Sequence, residues 1–403
     1  MERGERMFLP DYIKQVISLL ESAGHEAYAV GGCVRDALLK RLCSDYDITT
    51  SALPDETKKA LSGITVIETG ISHGTVTAVI NGTPVEITTY REDLSYSDHR
   101  RPDAVRLGGT LRADLARRDC TINTLAYSER DGVIDLYGGK KDLESGLIRA
   151  VGDADRRFNE DALRILRALR FSSQLGFEIE EKTAAACISN RELLSFVSKE
   201  RIYAELKKLL CGKNAADCLS KFRQIVFYIL PALKTEYFDS ALSALPLLPC
   251  DFALRFAGLF YHIGAAAAAE ALRALKADKK TTIETKTLIE NLPLKAEMSS
   301  KEIKTLLSKI GKEMFFKLIS LESAFADEQK AEKLKQLNNG AEGIIERGEC
   351  YRISDLKISG SDLSNLKIEG KQIGQVLNRL LAAVINGEIP NDKSTLLEKA
   401  KLL

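Results

Sequence analysis

Val30-Gly31-Gly32-Cys33-Val34-Arg35-Asp36-Ala37-Leu38-Leu39 is followed, after a short link, by Ser44-Asp45-Tyr46-Asp47-Ile48-Thr49. A strand that ends in two glycines and turns into a helix lets the backbone approach a phosphate closely. The helix N-terminus then supplies N–H donors and partial positive charge. Arg35, in the first turn, adds a forked phosphate contact. Asp45 and Asp47 stand two apart on a predicted strand, so both carboxylates face one side and Tyr46 the other. Two hard oxygen ligands side by side suit Mg²⁺, which binds through one or two carboxylates plus substrate phosphates. Each piece alone has a bland reading. A Gly-Gly turn needs no ligand, and most D-x-D pairs are surface acids. Ten residues separate Arg35 from Asp45, and it is the two pieces together that point to phosphate and metal chemistry. A third acid, Glu86, lies on the strand read at Val85–Tyr90, where it either completes a carboxylate cluster or stands solvated.

Around this stretch the chain changes character near residue 150. Short β-rich runs come first: Ala27–Val30, Tyr46–Thr50, Thr75–Ile80, Val85–Tyr90 and Val133–Tyr137. Helical spacing follows almost everywhere, as in Ser198–Leu210 and Lys301–Ile310. Pro231, Pro246 and Pro249 break the helical pattern, and Gly and Asn interrupt a charged helix around Asn338–Gly348. The expected units are 1–150, 151–230, 231–320 and 321–403. The fold class is α+β, a small mixed β-sheet followed by an all-α array. The 403 residues suggest more than one folding unit.

The start of the chain has no apolar signal core, and the apolar run Phe252–Ala269 is interrupted by Arg255 and His262. The run reads as a buried core helix rather than a membrane span. Eight cysteines without CxxC spacing read as reduced thiols of a cytoplasmic protein. No GxGxxG, GxxxxGK[ST] or HExxH pattern is present, which argues against a dinucleotide fold, a P-loop or a histidine-built metal hydrolase.

Four motifs in order carry a family resemblance. They are Gly31–Asp36 with Asp45-Tyr46-Asp47; Arg117-Arg118-Asp119-Cys120-Thr121-Ile122-Asn123; Asp135-Leu136-Tyr137-Gly138-Gly139 with Asp142-Leu143; and Glu160-Asp161-Ala162-Leu163-Arg164. Over about residues 27–177 the chain resembles the class II tRNA nucleotidyltransferase and poly(A) polymerase family, most closely its bacterial CCA-adding branch. The resemblance implies a polymerase-β-like catalytic head, a helical neck that reads the base, a helical body, and a tail that binds tRNA, the whole elongated. It implies template-independent addition of C, C and A to a tRNA 3′ end from CTP and ATP, with Mg²⁺ held by Asp45 and Asp47. Nucleotide contacts would come from Gly31, Gly32, Arg35, Arg118, Asp119, Asn123, Asp161, Arg164, Arg167 and Arg170. No protein partner is implied beyond a second copy in a homodimer.

The motifs also have readings of their own. Arg118, Asp119 and Asn123 offer a cation, an acceptor and an amide in one short stretch. An acceptor that meets a ribose 2′-OH selects ribonucleotides, whereas the bland alternative is a capped helix with a salt bridge. Glu160 to Phe171 reads as one helix with Asp161, Arg164, Arg167 and Arg170 along one side. Such a stripe is either a solvated face with pairs such as Glu160–Arg164 or a base reader. A carboxylate acceptor beside guanidinium donors matches the amine and ring nitrogen shared by cytosine and adenine, and rejects uracil and guanine. Arg167 and Arg170 would steady the motif or contact phosphate.

Within the family, the segment Tyr90–Pro102 looks like a flexible loop that CC-adding members lack. Thr69–Val76 stands where poly(A) polymerases have a basic segment. An A-adding enzyme, a poly(A) polymerase and a catalytically idle RNA-binding homologue are the alternatives. The net charge of +1 conceals a division. Residues 1–150 carry 19 basic and 23 acidic groups, residues 151–230 carry 14 and 11, and residues 231–403 carry 25 and 23. The acidic excess falls on the catalytic part and a small basic excess on the helices, where a nucleic-acid backbone would rest.

Overall fold

A computed structural model describes residues 7–43, 45–95 and 104–403. It divides into two compact units, Met1–Lys234 and Thr235–Leu403.

The first unit begins with α1 (Asp11–Ser22), whose Ile13, Val16, Ile17 and Leu20 recur at helical spacing and are buried. Then follow β1 (Ala27–Val30), α2 (Gly32–Leu38), β2 (Asp47–Thr50), α3 (Pro54–Ala60), β3 (Thr65–Gly70), β4 (Thr75–Ile80) and β5 (Thr83–Thr89). A separate ribbon of β6 (Arg91–Ser95) and β7 (Ala104–Leu107) leads to α4 (Leu111–Ala116), β8 (Ala126–Ser128), β9 (Gly132–Ile134) and α5 (Gly139–Glu144). The main sheet has seven strands in the order β3-β4-β5-β2-β1-β8-β9. It is mixed: β2 and β5 run parallel, and the other neighbours run antiparallel. All of β1 is buried, as a strand covered on both faces requires. On β5, Val85, Ile87 and Thr89 point inward while Glu86 is exposed, so one face of the sheet is left open.

Helices take over with β10 (Leu147–Ile148), α6 (Ala154–Glu160), α7 (Leu163–Leu175), β11 (Glu178–Ile179), α8 (Glu181–Ser189), α9 (Lys199–Leu210), α10 (Ala215–Lys221) and α11 (Arg223–Ile229). The continuous helix expected over Glu160–Phe171 is broken. Asp161 adopts φ −140°, ψ 104° between α6 and α7, and its own carboxylate accepts the N–H of Leu163 at 3.1 Å. An acid that caps the helix beginning beside it ends the preceding one.

Helices α7 and α9 pack closely where Gly212, just past α9, meets Ser173. A Cβ at Gly212 would lie 2.0 Å from Ser173 Oγ and 2.6 Å from its carbonyl carbon. Gly212→Ala therefore forces the two helices apart. It is expected to cost about 3 kcal/mol and to lower the Tm of this unit by roughly 6–12 °C in a thermal melt.

The second unit is helical: α12 (Phe238–Ala244), α13 (Phe252–Leu259), α14 (Ala265–Ala274), α15 (Lys279–Glu290), α16 (Ser300–Ile310), α17 (Lys312–Ala324), α18 (Glu328–Glu346), α19 (Gly360–Ser364), α20 (Lys371–Asn386) and α21 (Lys393–Lys401). Two expectations change here. The run Phe252–Ala269 is two helices, parted before Gly264 at φ 107°. The interruption expected at Asn338–Gly348 is absent until Glu346, because α18 runs through Asn338, Asn339, Gly340 and Gly343. Burial of Leu334, Leu337, Ala341 and Ile344 along one face offsets the poor helix propensity of glycine. Among the described residues no helix is long and apolar enough to cross a membrane.

Candidate active site

The open face of the sheet, the Gly31–Gly32 turn and helix α7 enclose a cleft of about 520 Å³. Its wall is shaped by backbone before side chains. Gly31 takes φ 80°, ψ −128° at the end of β1, a conformation that glycine adopts without strain. A Cβ there would sit 3.0 Å from a terminal nitrogen of Arg118, so the turn brings backbone and guanidinium together.

Arg35, one turn into α2, is held rigidly. It donates from Nη1 to Asn123 Oδ1 at 2.8 Å, and from Nε and Nη2 to the two oxygens of Asp36 at 2.9 Å each. Its guanidinium also lies 5.2 Å from the centre of the Phe171 ring, which Arg167 and Arg170 approach at 5.6 and 4.3 Å. Three cations gathered on one ring repel one another unless anions intervene. Arg167 pairs with Asp119, and Arg170 lies 3.1 Å from Glu205 on α9.

Asp47 opens β2 and is exposed to the cleft, directly in register with Glu86 of the parallel strand β5. Asp45 stands just before the strand rather than on it, also exposed, while Tyr46 turns away to meet Tyr12 edge-on. Desolvation by the surrounding protein pushes the Asp47 carboxyl above its ordinary value. Arg118 and Arg167 oppose this, and the neighbouring charges of Glu86 and Asp45 add to it. Asp47 and Glu86 line the cleft. Among the described residues no three His, Cys, Asp or Glu side chains converge as a metal-binding group.

Beneath them, buried Asp114 of α4 accepts from Thr49 Oγ1 at 3.1 Å and from Arg117 Nη2 at 2.7 Å, with Arg118 at 3.4 Å. Burial alone would raise its pKa, but the two guanidiniums outweigh that and lower it. The same balance acts at Asp119. Its burial is overcome by Arg167, by the Asn123 amide and by the Cys120 N–H, and the carboxyl is held well below the usual range. Those groups donate to it at 2.6, 2.9 and 2.8 Å, with a second Arg167 nitrogen at 2.5 Å. A carboxylate offers about four acceptor positions. In this arrangement Asp119 therefore spends them on orienting Arg167 and Asn123.

On the helical side, the break before α7 turns Asp161 into the cleft, where Arg201 of α9 reaches it at 3.2 Å. Arg164 pairs with Glu160 at 2.7 Å, the i,i+4 pair expected from spacing. It also donates to the carbonyls of Arg157 and Arg117 at 3.1 and 2.6 Å. Those bonds use three of the five guanidinium donors.

Gly31, Gly32, Arg35, Asp47, Arg118, Asp119, Asn123, Asp161, Arg164, Arg167 and Arg170 thus line a single cleft. Asp45 is not in its wall; its charge bears on the site through Asp47. The third motif lies apart as a turn. Asp135 accepts the N–H groups of Gly139 and Lys140, both at 2.9 Å, and buried Asp142 takes Thr121 Oγ1 at 2.7 Å. The segment read as a loop opens with β6, which pairs with β7 beyond its end, and residues 96–102 lie outside the described residues.

Thr75, Thr88, Arg91, Gln174 and Arg201 also line the cleft and escaped sequence reading. Only Arg201 carried a signal. It stands four residues before Glu205 on the polar side of a helix, yet nothing local tied it to Asp161, 40 residues earlier.

Family models described as the poly A polymerase head domain, a probable RNA and SrmB-binding site of polymerase A, and a putative tRNA nucleotidyltransferase domain 2 match residues 27–149, 176–235 and 253–400. The chain is 36% identical to the CCA-adding enzyme of Ligilactobacillus salivarius, covering 98% of both chains. It is 37% identical to that of Bacillus velezensis, covering 95% of this chain and 96% of the other. The crystal structure of the Bacillus stearothermophilus CCA-adding enzyme in complex with CTP superposes with a TM-score of 0.77 at 30% identity, covering 96% of this chain and 95% of that one.

Proposed function

This chain belongs to the class II tRNA nucleotidyltransferase and poly(A) polymerase family, and we propose that it adds C, C and A to tRNA 3′ ends from CTP and ATP, releasing pyrophosphate. The observation that carries the reading is one cleft lined both by Asp47 of the sheet and by Asp161 and Arg164 of the helices. Carboxylate chemistry at a phosphate and polar readers of a base then act on the same nucleotide.

The residues fit a divalent metal. Asp47 and Asp45 present hard oxygens, and the Asp47 carboxyl is raised first by desolvation and then by Glu86 and Asp45, with Arg118 and Arg167 only partly opposing, a balance that a cation would relieve. We assign Mg²⁺ to Asp45 and Asp47. Held there by Asp45 and Asp47, such an ion would supply Lewis-acid chemistry, lowering the pKa of the 3′-hydroxyl and offsetting negative charge at the α-phosphate. Gly31, Gly32 and Arg35 clamp the triphosphate, and Arg35 is already fixed for that by Asn123 and Asp36. Arg118 and Asn123 face the ribose, with Asp119 setting the direction of Asn123.

Asp161 keeps acceptor positions beyond those used by Leu163 and Arg201, and Arg164 keeps two donors. Together they take the exocyclic amine and the ring nitrogen of cytosine or adenine, and they refuse uracil and guanine, whose edges reverse the pattern. Arg167 and Arg170 steady this side of the cleft. The helical units bear the tRNA, in the cytoplasm where that substrate is found.

Purified protein given tRNA ending at the discriminator base, with CTP and ATP, is expected to extend it by three nucleotides. Addition of A alone to CC-ended tRNA would establish an A-adding enzyme instead, and continued A addition beyond CCA a poly(A) polymerase.

A further inference from the structure

A second cavity, of about 410 Å³, lies on the other side of Arg35 and Phe171 from the catalytic cleft. Arg35, Phe171 and Gln174 belong to both walls, so the two spaces share a partition. The far wall carries Arg41, beyond the end of α2, and Lys213, beyond the end of α9. Both are exposed, and neither side chain forms an ion pair or hydrogen bond with a described residue. Lys213 does not wander freely. Its stem lies over Gly176, where a Cβ would meet Lys213 Cε at 2.8 Å, so glycine there fixes the path of the side chain. The carboxylate in the wall, Asp36, has both oxygens engaged by Arg35. Two uncommitted cations face a neutralised acid across a space that adjoins the phosphate side of the active cleft. Such a space takes a compact polyanion.

We propose that Arg41 and Lys213, with Arg35 between the two cavities, form an outer polyphosphate subsite that receives the departing pyrophosphate. This deepens the nucleotidyl-transfer reading and rests on it for the source of the anion. On release of pyrophosphate from the nucleotide, Arg35 remains at the inner cleft while Arg41 and Lys213 draw the anion outward into the second cavity.

The direct test titrates inorganic pyrophosphate into the full chain by calorimetry, comparing wild type with Arg41→Ala, Lys213→Ala and the double variant. Both positions are exposed, so circular dichroism should be unchanged. Each single variant is expected to weaken binding about fivefold and the double variant about 25-fold, the scale of partly screened charge-assisted contacts. Equal affinities in all four proteins would overturn the subsite. A kinetic arm identifies the source of the anion. In pyrophosphorolysis of CCA-ended tRNA, the variants should raise the KM for pyrophosphate by the same factors and leave that for tRNA unchanged. A raised KM for tRNA with an unchanged KM for pyrophosphate would assign both cations to the RNA backbone and reject the proposal. Should wild type transfer no nucleotide yet show the graded titration, the transfer reading would fall and the anion subsite would stand.

Discussion

Asp47→Ala is expected to reduce nucleotide transfer by about 10³-fold or more, with Tm unchanged to within a degree or two. The size of the loss follows from what the carboxylate is proposed to do. A metal ligand at the reacting phosphate acts on charge that develops in the transition state, and removal of one such group costs several kcal/mol of barrier. The indifference of stability follows from the surroundings. Asp47 is exposed, faces Glu86 across the parallel register and has a raised pKa. Its charge is held in the folded state chiefly against desolvation, with repulsion from Glu86 and Asp45 added, so its loss costs the fold nothing and relieves Glu86 slightly. Single-turnover incorporation of labelled CTP, run beside a thermal melt, separates the two effects. Retention of more than about a tenth of the wild-type rate would remove Asp47 from the chemistry.

The opposite profile is expected at Asp119. Its carboxylate is nearly buried and joins Arg167, Asn123 and the Cys120 N–H. In Asp119→Asn the amide N–H₂ is turned toward Arg167, donor against donor, and the guanidinium loses its counter-charge. Breaking a fully buried ion pair costs about 3–5 kcal/mol. Arg167 remains 36% exposed and recovers part of that from water, so the expected loss is about 2–3 kcal/mol, or roughly 4–12 °C in Tm. The pH dependence has a definite sign. Because the folded-state pKa of Asp119 is depressed, its contribution is fully present above the unfolded value of about 4 and is lost as pH falls through the lower, folded one. Denaturation curves of wild type and variant should therefore differ by a constant amount between pH 5 and 8 and converge in stronger acid. Nucleotide affinity should fall as well, since Asn123 and Arg167 lose the group that orients them. A gap that widened toward low pH would refute the ion-pair account.

Much of the site was legible because its parts are local. The Gly31–Gly32 turn, the alternation that buries Val85 and Ile87 but not Glu86, and the polar stripe of Asp161, Arg164, Arg167 and Arg170 depend on neighbours within a few residues. The sequence pattern did not show the interruption at Asp161, since the apolar period continues across it; the side-chain cap on Leu163 decides it. Nor did spacing foresee that α18 would run through Asn338 and Gly340, because burial of one face, not propensity, sustains it. Arg201 and the shared partition at Arg35 and Phe171 were out of reach for a different reason. Each joins segments far apart in the chain, and only the fold brings them together.

The central claim is that protein side chains, Asp161 and Arg164, choose the base in place of a nucleic-acid template. Supplying the purified protein with tRNA that ends at the discriminator base and all four nucleoside triphosphates together, then sequencing the product 3′ end by mass spectrometry, tests it most directly. The account predicts C, C and A in that order and no further addition. Incorporation of U or G alongside C and A, or no dependence of the added base on Asp161 and Arg164 when they are replaced, would contradict it.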